Sequence, residues 1–141
     1  MRAQLETIAA VKGWKHHNII GDDLMKKIQS EDSPYKLKYG KVLFLVDVIR
    51  TRAEFQKSSQ IVREIYTGSL MILLRSIPGE LYSWKKINCI DVAMEKQKEL
   101  QHEIIANSLE INSWEYWDGI GKITAHYDGI VANYQITNHR P

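Results

Sequence analysis

Two Asp-Gly pairs stand ten residues apart near the C-terminus, in the stretch YWDGIGKITAHYDGIVANYQIT at residues 116–137. A helix over this stretch would have to contain Gly119, Gly121 and Gly129, each of which costs about 1 kcal/mol relative to alanine. Asp-Gly is instead favoured at the centre of a two-residue β-hairpin turn. The spacing therefore predicts a three-stranded antiparallel meander over about 110–137.

The three predicted strands, 110–117, 120–127 and 130–137, separate apolar from polar side chains with a period of two. The predicted turns place Trp117 opposite Ile120. The predicted apolar face consists of Trp114, Tyr116, Ile123, Ala125, Tyr127, Ile130, Ala132, Tyr134 and Ile136. The predicted polar face consists of Ser113, Glu115, Lys122, Thr124, His126, Asn133, Gln135 and Thr137. A helix over the same residues is the alternative, because several of them also share a helical face.

Residues before about 108 show helical periodicity instead. The apolar positions of 2–12 predict a short helix that ends at Gly13, a typical left-handed C-terminal cap. Asp22 or Asp23 is predicted to cap a second helix. These features indicate a chain that begins with helices.

The longest apolar runs are also predicted to be helical. Pro34, preceded by Ser33, is predicted to begin a helix that continues through 35–57, because Tyr35, Tyr39, Val42, Val46, Ile49 and Ala53 follow a three-four rhythm. A buried strand would have to place Asp47 in the middle of its run. A serine-capped helix over 58–77 and another over 90–109, capped by Asn88 or Asp91, complete the prediction.

The sequence thus predicts an α+β fold in which residues 1–108 form a predominantly α-helical bundle and residues 110–137 a C-terminal meander. An all-α fold is the alternative. A length of 141 residues fits one domain, so 1–141 is predicted to be a single domain.

Composition favours a protein of the cytoplasm. Cys89 is the single cysteine and has no internal disulfide partner, and the N-terminal residues lack the apolar core of a signal peptide. The apolar runs at 42–46 and 70–74 are far shorter than the roughly 20 residues that a membrane span needs. The sequence therefore predicts a reducing, intracellular setting and no membrane partner.

Charge divides the chain into two halves of opposite sign. Residues 35–86 carry ten basic and four acidic side chains, a net charge of +6. Residues 87–137 carry three basic and eight acidic side chains, a net charge of −5. Either the two halves dock on one another within one fold, or they are solvated faces that differ in charge.

No catalytic or metal-binding motif is present. Two helical metal ligands need an i, i+4 pair such as His-Glu-x-x-His, and His16, His17, His102 and His126 do not provide one. The lone Cys89 is more typical of a small buried side chain than of a nucleophile. The sequence therefore favours a non-enzymatic protein with no cofactor and no metal.

Two functions follow from these patterns. The first is a protein-interaction or regulatory role, with another protein or a second copy of the chain as partner and with Trp14 and Trp117 as candidate binding residues, since exposed aromatic side chains are enriched in binding hot spots. The alternative is nucleic-acid binding by the basic segment 35–86, in which aromatic rings would stack on bases while lysines follow phosphates. The candidate residues for that alternative are Tyr35, Lys36, Lys38, Tyr39, Arg50, Arg52, Trp84, Lys85 and Lys86.

Overall fold

A computed structural model of the chain describes residues 1–18, 37–57, 60–121 and 125–139, apart from the side chains of Val48 and Ile49. Most of the structure is β-sheet. The elements are α1 (Arg2–Lys12), β1 (Lys15–Asn18), β2 (Val42–Phe55), β3 (Ile61–Arg75), α2 (Tyr82–Lys85), a π-helical turn (Lys86–Ile90), α3 (Asp91–Ala106), β4 (Leu109–Ile120) and β5 (Tyr127–His139).

The strands form one sheet in the order β1-β2-β3-β5-β4. The short strand β1 runs parallel to β2, and all other neighbours are antiparallel. Strands β2 to β5 are each 12 to 15 residues long, well above the usual five or six. Within the described residues, β1 and β4 are the edge strands.

Helix α1 and the helical segment that runs from α2 to α3 cover one side of the sheet, called the helix face below. Their apolar side chains meet alternate residues of the long strands in one continuous core. That core includes Leu5, Ile8, Phe44, Leu70, Ile72, Ala93, Leu100, Ile104, Ile130, Ala132 and Ile136. Burial of each large aliphatic side chain contributes about 1.5–3 kcal/mol, so this layer supplies most of the hydrophobic stabilisation.

The opposite side of the sheet, called the far face below, is most apolar at one end. There a second cluster contains Leu37, Leu43, Leu45, Leu73 and Tyr127, all of them buried. Residues 42–46 of β2 are therefore buried on both faces of the sheet. Met71, Val131 and Trp117 extend this apolar surface, and most of the remaining described far-face residues are polar, with Ile65 as a buried exception.

The predicted helical bundle is wrong, and so is the all-α alternative. The helices predicted over 35–57 and 58–77 are replaced by strands β2 and β3. A strand that is buried on both faces has a continuous apolar run rather than a period of two, and such a run also fits a helical rhythm. The predicted capping at Asp22 or Asp23 and the predicted helix start at Pro34 lie outside the described residues.

The C-terminal residues form antiparallel strands as predicted, but there are two strands here rather than a meander of three. Both Asp-Gly pairs lie inside strands, and Gly119 is opposite Gly129. Trp117 is opposite Val131 rather than Ile120. The chain leaves β4 at Gly121, where φ is 63°.

The buried carboxylate of Asp128 explains this difference. It accepts a hydrogen bond of 2.8 Å from the backbone N–H of Gly121, and its other oxygen lies 3.1 Å from Nζ of Lys85. An aspartate held in this way belongs to the core and not to an exposed turn.

Two predicted helices are confirmed. α1 ends at Gly13, which has φ of 72° and caps the helix as predicted. α3 corresponds to the helix predicted over 90–109, although no side chain caps its first turn. Asn88 lies in the π-helical turn, which joins α2 to α3 without leaving the helical backbone region.

Candidate functional site

A concavity of about 380 Å³ lies on the polar part of the far face, where β3, β5 and β4 run side by side. It is lined by Thr67, Gly68, Ser113, Trp114, Glu115, Asn133, Tyr134 and Gln135. The side chains of Trp114 and Tyr134 belong to the helix-face core, so these two residues contribute backbone to the concavity. Its chemistry is set by hydroxyls, two amides and one carboxylate.

The strand register arranges these polar groups in two rows. Thr67, Gln135 and Ser113 lie side by side across the three strands. In the adjacent row, Asn133 is opposite Glu115. Neighbouring strands lie about 4.8 Å apart, so the first row spans roughly 10 Å of sheet and the second roughly 5 Å. The rows present several hydrogen-bonding groups to one ligand.

The sheet beneath the concavity is fixed by Tyr134. Its buried hydroxyl donates a hydrogen bond of 2.9 Å to the backbone oxygen of Asp47, and burial raises the pKa of Tyr134 so that the donor stays protonated. The ring crosses Gly68, where an added Cβ would lie 2.7 Å from the hydroxyl oxygen and 2.0 Å from the Asp47 oxygen. The absence of a side chain at Gly68 therefore permits this cross-strand contact.

Trp114 fixes the same region to the helical layer. Its ring lies 6.3 Å from that of Tyr134, and its Nε1 donates a hydrogen bond of 2.9 Å to Oε1 of the buried Gln97 in α3. Both partners are satisfied by this bond, which avoids the cost of a buried unpaired amide. The strand that borders the concavity is thereby held to α3.

Strand β4 forms one wall of the concavity and is an edge of the sheet within the described part of the chain. A register irregularity at Asn112 interrupts its first half, whereas residues 113–120 pair regularly with β5. The strand contains no lysine, arginine or proline. Tyr116, Trp117 and Ile120 are exposed, with Trp117 at 40%. Residues 113–120 therefore offer backbone groups and apolar side chains together.

The charges on β4 are all negative. Glu110 lies 2.5 Å from Nε2 of His139, and Asp118 accepts a hydrogen bond of 2.9 Å from the hydroxyl of Tyr82. That hydrogen bond raises the pKa of Tyr82. Glu115, in contrast, has no ion pair with any residue that the structure describes. The carboxylate that faces the concavity is thus available to a ligand.

The two tryptophans predicted to bind a partner differ in position. Trp14 is only 7% exposed and packs edge-on against Phe44, with ring centroids 5.6 Å apart. Trp117 lies at the surface of β4 on the far face, two residues from Glu115. Of these two tryptophans, Trp117 is the one whose ring is exposed.

Several residues predicted to bind nucleic acid have partners inside the fold. Lys85 lies 3.1 Å from Asp128, and Lys86 lies 3.0 Å from Asp91. Trp84 packs against the helix-face core. These side chains are therefore engaged in structural contacts.

The other candidates lie elsewhere. Tyr39 is exposed, with the guanidinium of Arg75 stacked 4.3 Å from its ring centre, and Lys38 is its neighbour. Arg50 and Arg52 lie further along β2, and Arg52 is 3.3 Å from Glu54. Tyr35 and Lys36 lie outside the described residues. Among the described candidates, Lys38 and Tyr39 precede β2, Arg50 and Arg52 lie within it, and Trp84, Lys85 and Lys86 belong to the helical segment. Nucleic-acid binding stays a prediction from the sequence.

Three further observations limit the chemistry of the described residues. No three His, Cys, Asp or Glu side chains among them are placed to hold a metal ion. No helix in this part of the chain has the length and apolar character needed to cross a membrane. Cys89 is buried, and burial raises the pKa of its thiol, which disfavours the nucleophilic thiolate.

The fold and the surface together define a two-layer protein, with helices on one face of a long-stranded sheet and a polar concavity beside an exposed edge on the other. No family model matches the chain, and no curated protein matches it significantly.

Sequence patterns indicated part of this surface. The polar face predicted for the C-terminal strands already contained Ser113, Glu115, Asn133 and Gln135, which the structure places together. The alternation predicts that they share a polar face but does not by itself indicate a site. Thr67 was missed because β3 was predicted to be a helix.

Proposed function

We propose that the protein binds an extended segment of another protein, which adds as a strand to the edge of β4. The observation that carries this proposal is the regular, exposed edge over residues 113–120, which bears Tyr116, Trp117 and Ile120 at the surface. Every second residue of an edge strand directs its N–H and C=O groups away from the sheet, where another chain can bind them.

The side chains of β4 support this mode of binding on both faces. Trp117 lies on the far face beside the concavity, and Tyr116 lies on the helix face. An added strand would contact one aromatic ring on each side, while its backbone bonds to β4. Main-chain hydrogen bonds supply affinity in such complexes, and side-chain contacts supply specificity. The opposite edge is less suitable, because β1 has only four residues.

Charge favours a different protein over a second copy of this chain. Strand β4 carries three acidic side chains and no basic one, namely Glu110, Glu115 and Asp118. Pairing β4 with its own copy would bring six negative charges onto one ladder, and like charges on neighbouring strands are destabilising. The acidic edge disfavours self-pairing but leaves a less acidic partner able to bind.

The test begins with selection of binders from a displayed library of random peptides about twelve residues long. Amide hydrogen exchange is then measured by NMR with the selected peptide bound. Outward-facing amides of β4 have no backbone partner among the described residues and should exchange rapidly in the free protein. We expect alternate amides within 113–120 to become protected on binding, while those of β1 do not change.

A matched pair of variants tests the contact surface. Trp117→Ala should weaken the selected peptide about tenfold or more, because aromatic anchors dominate binding energies. Phe55→Ala is the control, since Phe55 is 61% exposed at the far end of β2 and should leave affinity unchanged. Selection of no peptide, protection without the alternate pattern, or a dimer formed through β4 would refute the proposal.

A further inference from the structure

We infer that the strand added to β4 directs an arginine side chain into the concavity, where its guanidinium pairs with Glu115. This inference rests on the proposed strand addition and specifies the chemistry of the partner. Of the described residues that line the concavity, Glu115 is the only charged one. It has no ion pair within the part of the chain that the structure describes.

Distances across the sheet allow this contact. A strand beside β4 would lie about 4.8 Å from it and about 10 Å from β5. An extended arginine reaches on the order of 7 Å from its Cα, as standard bond lengths imply. A residue of the added strand on the far face would therefore place its guanidinium between β4 and β5. Glu115 and Asn133 lie opposite each other at that point.

The neutral groups of the concavity complement a guanidinium. Asn133 and Gln135 each provide an amide oxygen, and Ser113 provides a hydroxyl oxygen. A guanidinium offers five N–H donors in a plane and has no acceptor, so one carboxylate with several neutral oxygens suits it. Lysine would satisfy the charge but fewer of these acceptors, because its ammonium is a point charge with three donors.

Within the described residues, no basic side chain pairs with Glu115. Arg50 is the basic residue in the same row as Thr67, on β2. Three strand spacings separate β2 from β4 in the sheet order, which is about 14 Å. Exposed charges at that separation are largely screened at physiological salt, where the Debye length is about 8 Å. Glu115 therefore presents a local negative charge to an incoming strand.

The experiment uses blocked eight-residue peptides of alternating threonine and valine with one variable central residue. That residue is arginine, citrulline, lysine or glutamate, and citrulline keeps the shape of arginine without its charge. Affinities are measured by fluorescence polarisation at low salt. We expect the arginine peptide to bind about tenfold or more tightly than the citrulline peptide, with lysine between them and glutamate weakest.

Two variants assign the effect to the concavity. Glu115→Gln should reduce the affinity of the arginine peptide to that of the citrulline peptide, and should leave the citrulline peptide within about twofold. Glu110→Gln is the matched control on the same strand, because Glu110 pairs with His139 outside the concavity. It should preserve the preference for arginine. Circular dichroism of each variant checks that the fold is intact.

The outcomes separate this inference from the proposed function. Equal affinities of the arginine and citrulline peptides, with β4 amides protected, would refute the arginine site and leave strand addition standing. A preference for arginine that depends on Glu115 without protection of β4 amides would support the site and refute strand addition. Failure of every peptide to bind would overturn both.

Discussion

Gly68 should be among the positions of the sheet least tolerant of a side chain, and replacement by alanine tests this. An added Cβ would lie 2.0 Å from the backbone oxygen of Asp47 and 2.7 Å from the hydroxyl of Tyr134. The first of these neighbours is backbone of the adjacent strand and cannot rotate away. Gly68→Ala must therefore displace β2 from β3 and separate Tyr134 from its acceptor.

The expected cost has two parts. Forcing an extra methyl group into a packed site costs about 1–3 kcal/mol. Leaving the buried hydroxyl of Tyr134 without its hydrogen bond costs about 1–3 kcal/mol more. The total of about 2–6 kcal/mol is a large fraction of the 5–15 kcal/mol that typically stabilises a domain. It corresponds to a fall in Tm of roughly 5–25 °C for a chain of this size.

Urea unfolding followed by circular dichroism measures this cost, with Gly79→Ala as the control. Gly79 has φ of 82° but no heavy atom within 4 Å of an added Cβ, so only the strain of a left-handed residue applies, about 1–2 kcal/mol. Tyr134→Phe isolates the hydrogen bond and should cost less than Gly68→Ala. A Gly68→Ala protein as stable as Gly79→Ala would contradict the reasoning.

Three other predictions concern buried polar groups. Asp128→Asn should destabilise the protein by about 3–5 kcal/mol in urea, because it leaves the partly buried ammonium of Lys85 without its partner, and Lys85→Met in the same chain should restore part of the loss. Desolvation, together with the contact to Glu64, raises the pKa of Tyr66 from 10.0 to about 12, so the folded state keeps a phenol that the unfolded chain ionises. Stability should therefore be full below pH 10 and fall as the pH rises to about 12, and Tyr66→Phe should flatten that fall. Trp114→Phe should cost about 1–3 kcal/mol by leaving the Gln97 amide oxygen unpaired, and an unchanged unfolding midpoint would show that this bond contributes nothing.

The sequence patterns predict the helices α1 and α3, which bury one face each. They predict a helix in place of β2, where residues 42–46 are buried on both faces. α1 and α3 each have one apolar stripe, and both were predicted. Residues 42–46 are buried on both sides of the sheet, so their apolar run contains no period of two. Asp47 argues against a buried strand in the sequence, because a carboxylate would lie in the middle of the run. In the structure, Asp47 directly follows the buried residues 42–46, where the far-face cluster ends. Its backbone oxygen accepts a bond from Tyr134, 87 positions along the chain, which no local pattern reports.

The sequence predicts which side chains of one strand share a face of the sheet, but it does not predict the register between strands. Alternation placed Ser113 and Glu115 on one face, and likewise Asn133 and Gln135, because side chains of a strand alternate whatever its partners are. The register depended on two Asp-Gly turns that do not form, since Asp128 is held in the core by Lys85. Burial of that ion pair is a tertiary effect that overrides a local turn preference.

The π-helical turn Lys86–Ile90 has a consequence for how the length of the chain can vary. A π-helical turn closes i→i+5 hydrogen bonds and so contains one residue more than an α-helical turn. Removal of one exposed residue from this turn, Ile87 or Asn88, can convert it to an ordinary α-helical turn. Asp91–Ala106 would then keep its packing on the sheet while only the preceding turn rotates. Relatives of this protein that are one residue shorter between Lys85 and Asp91 can therefore share the same core.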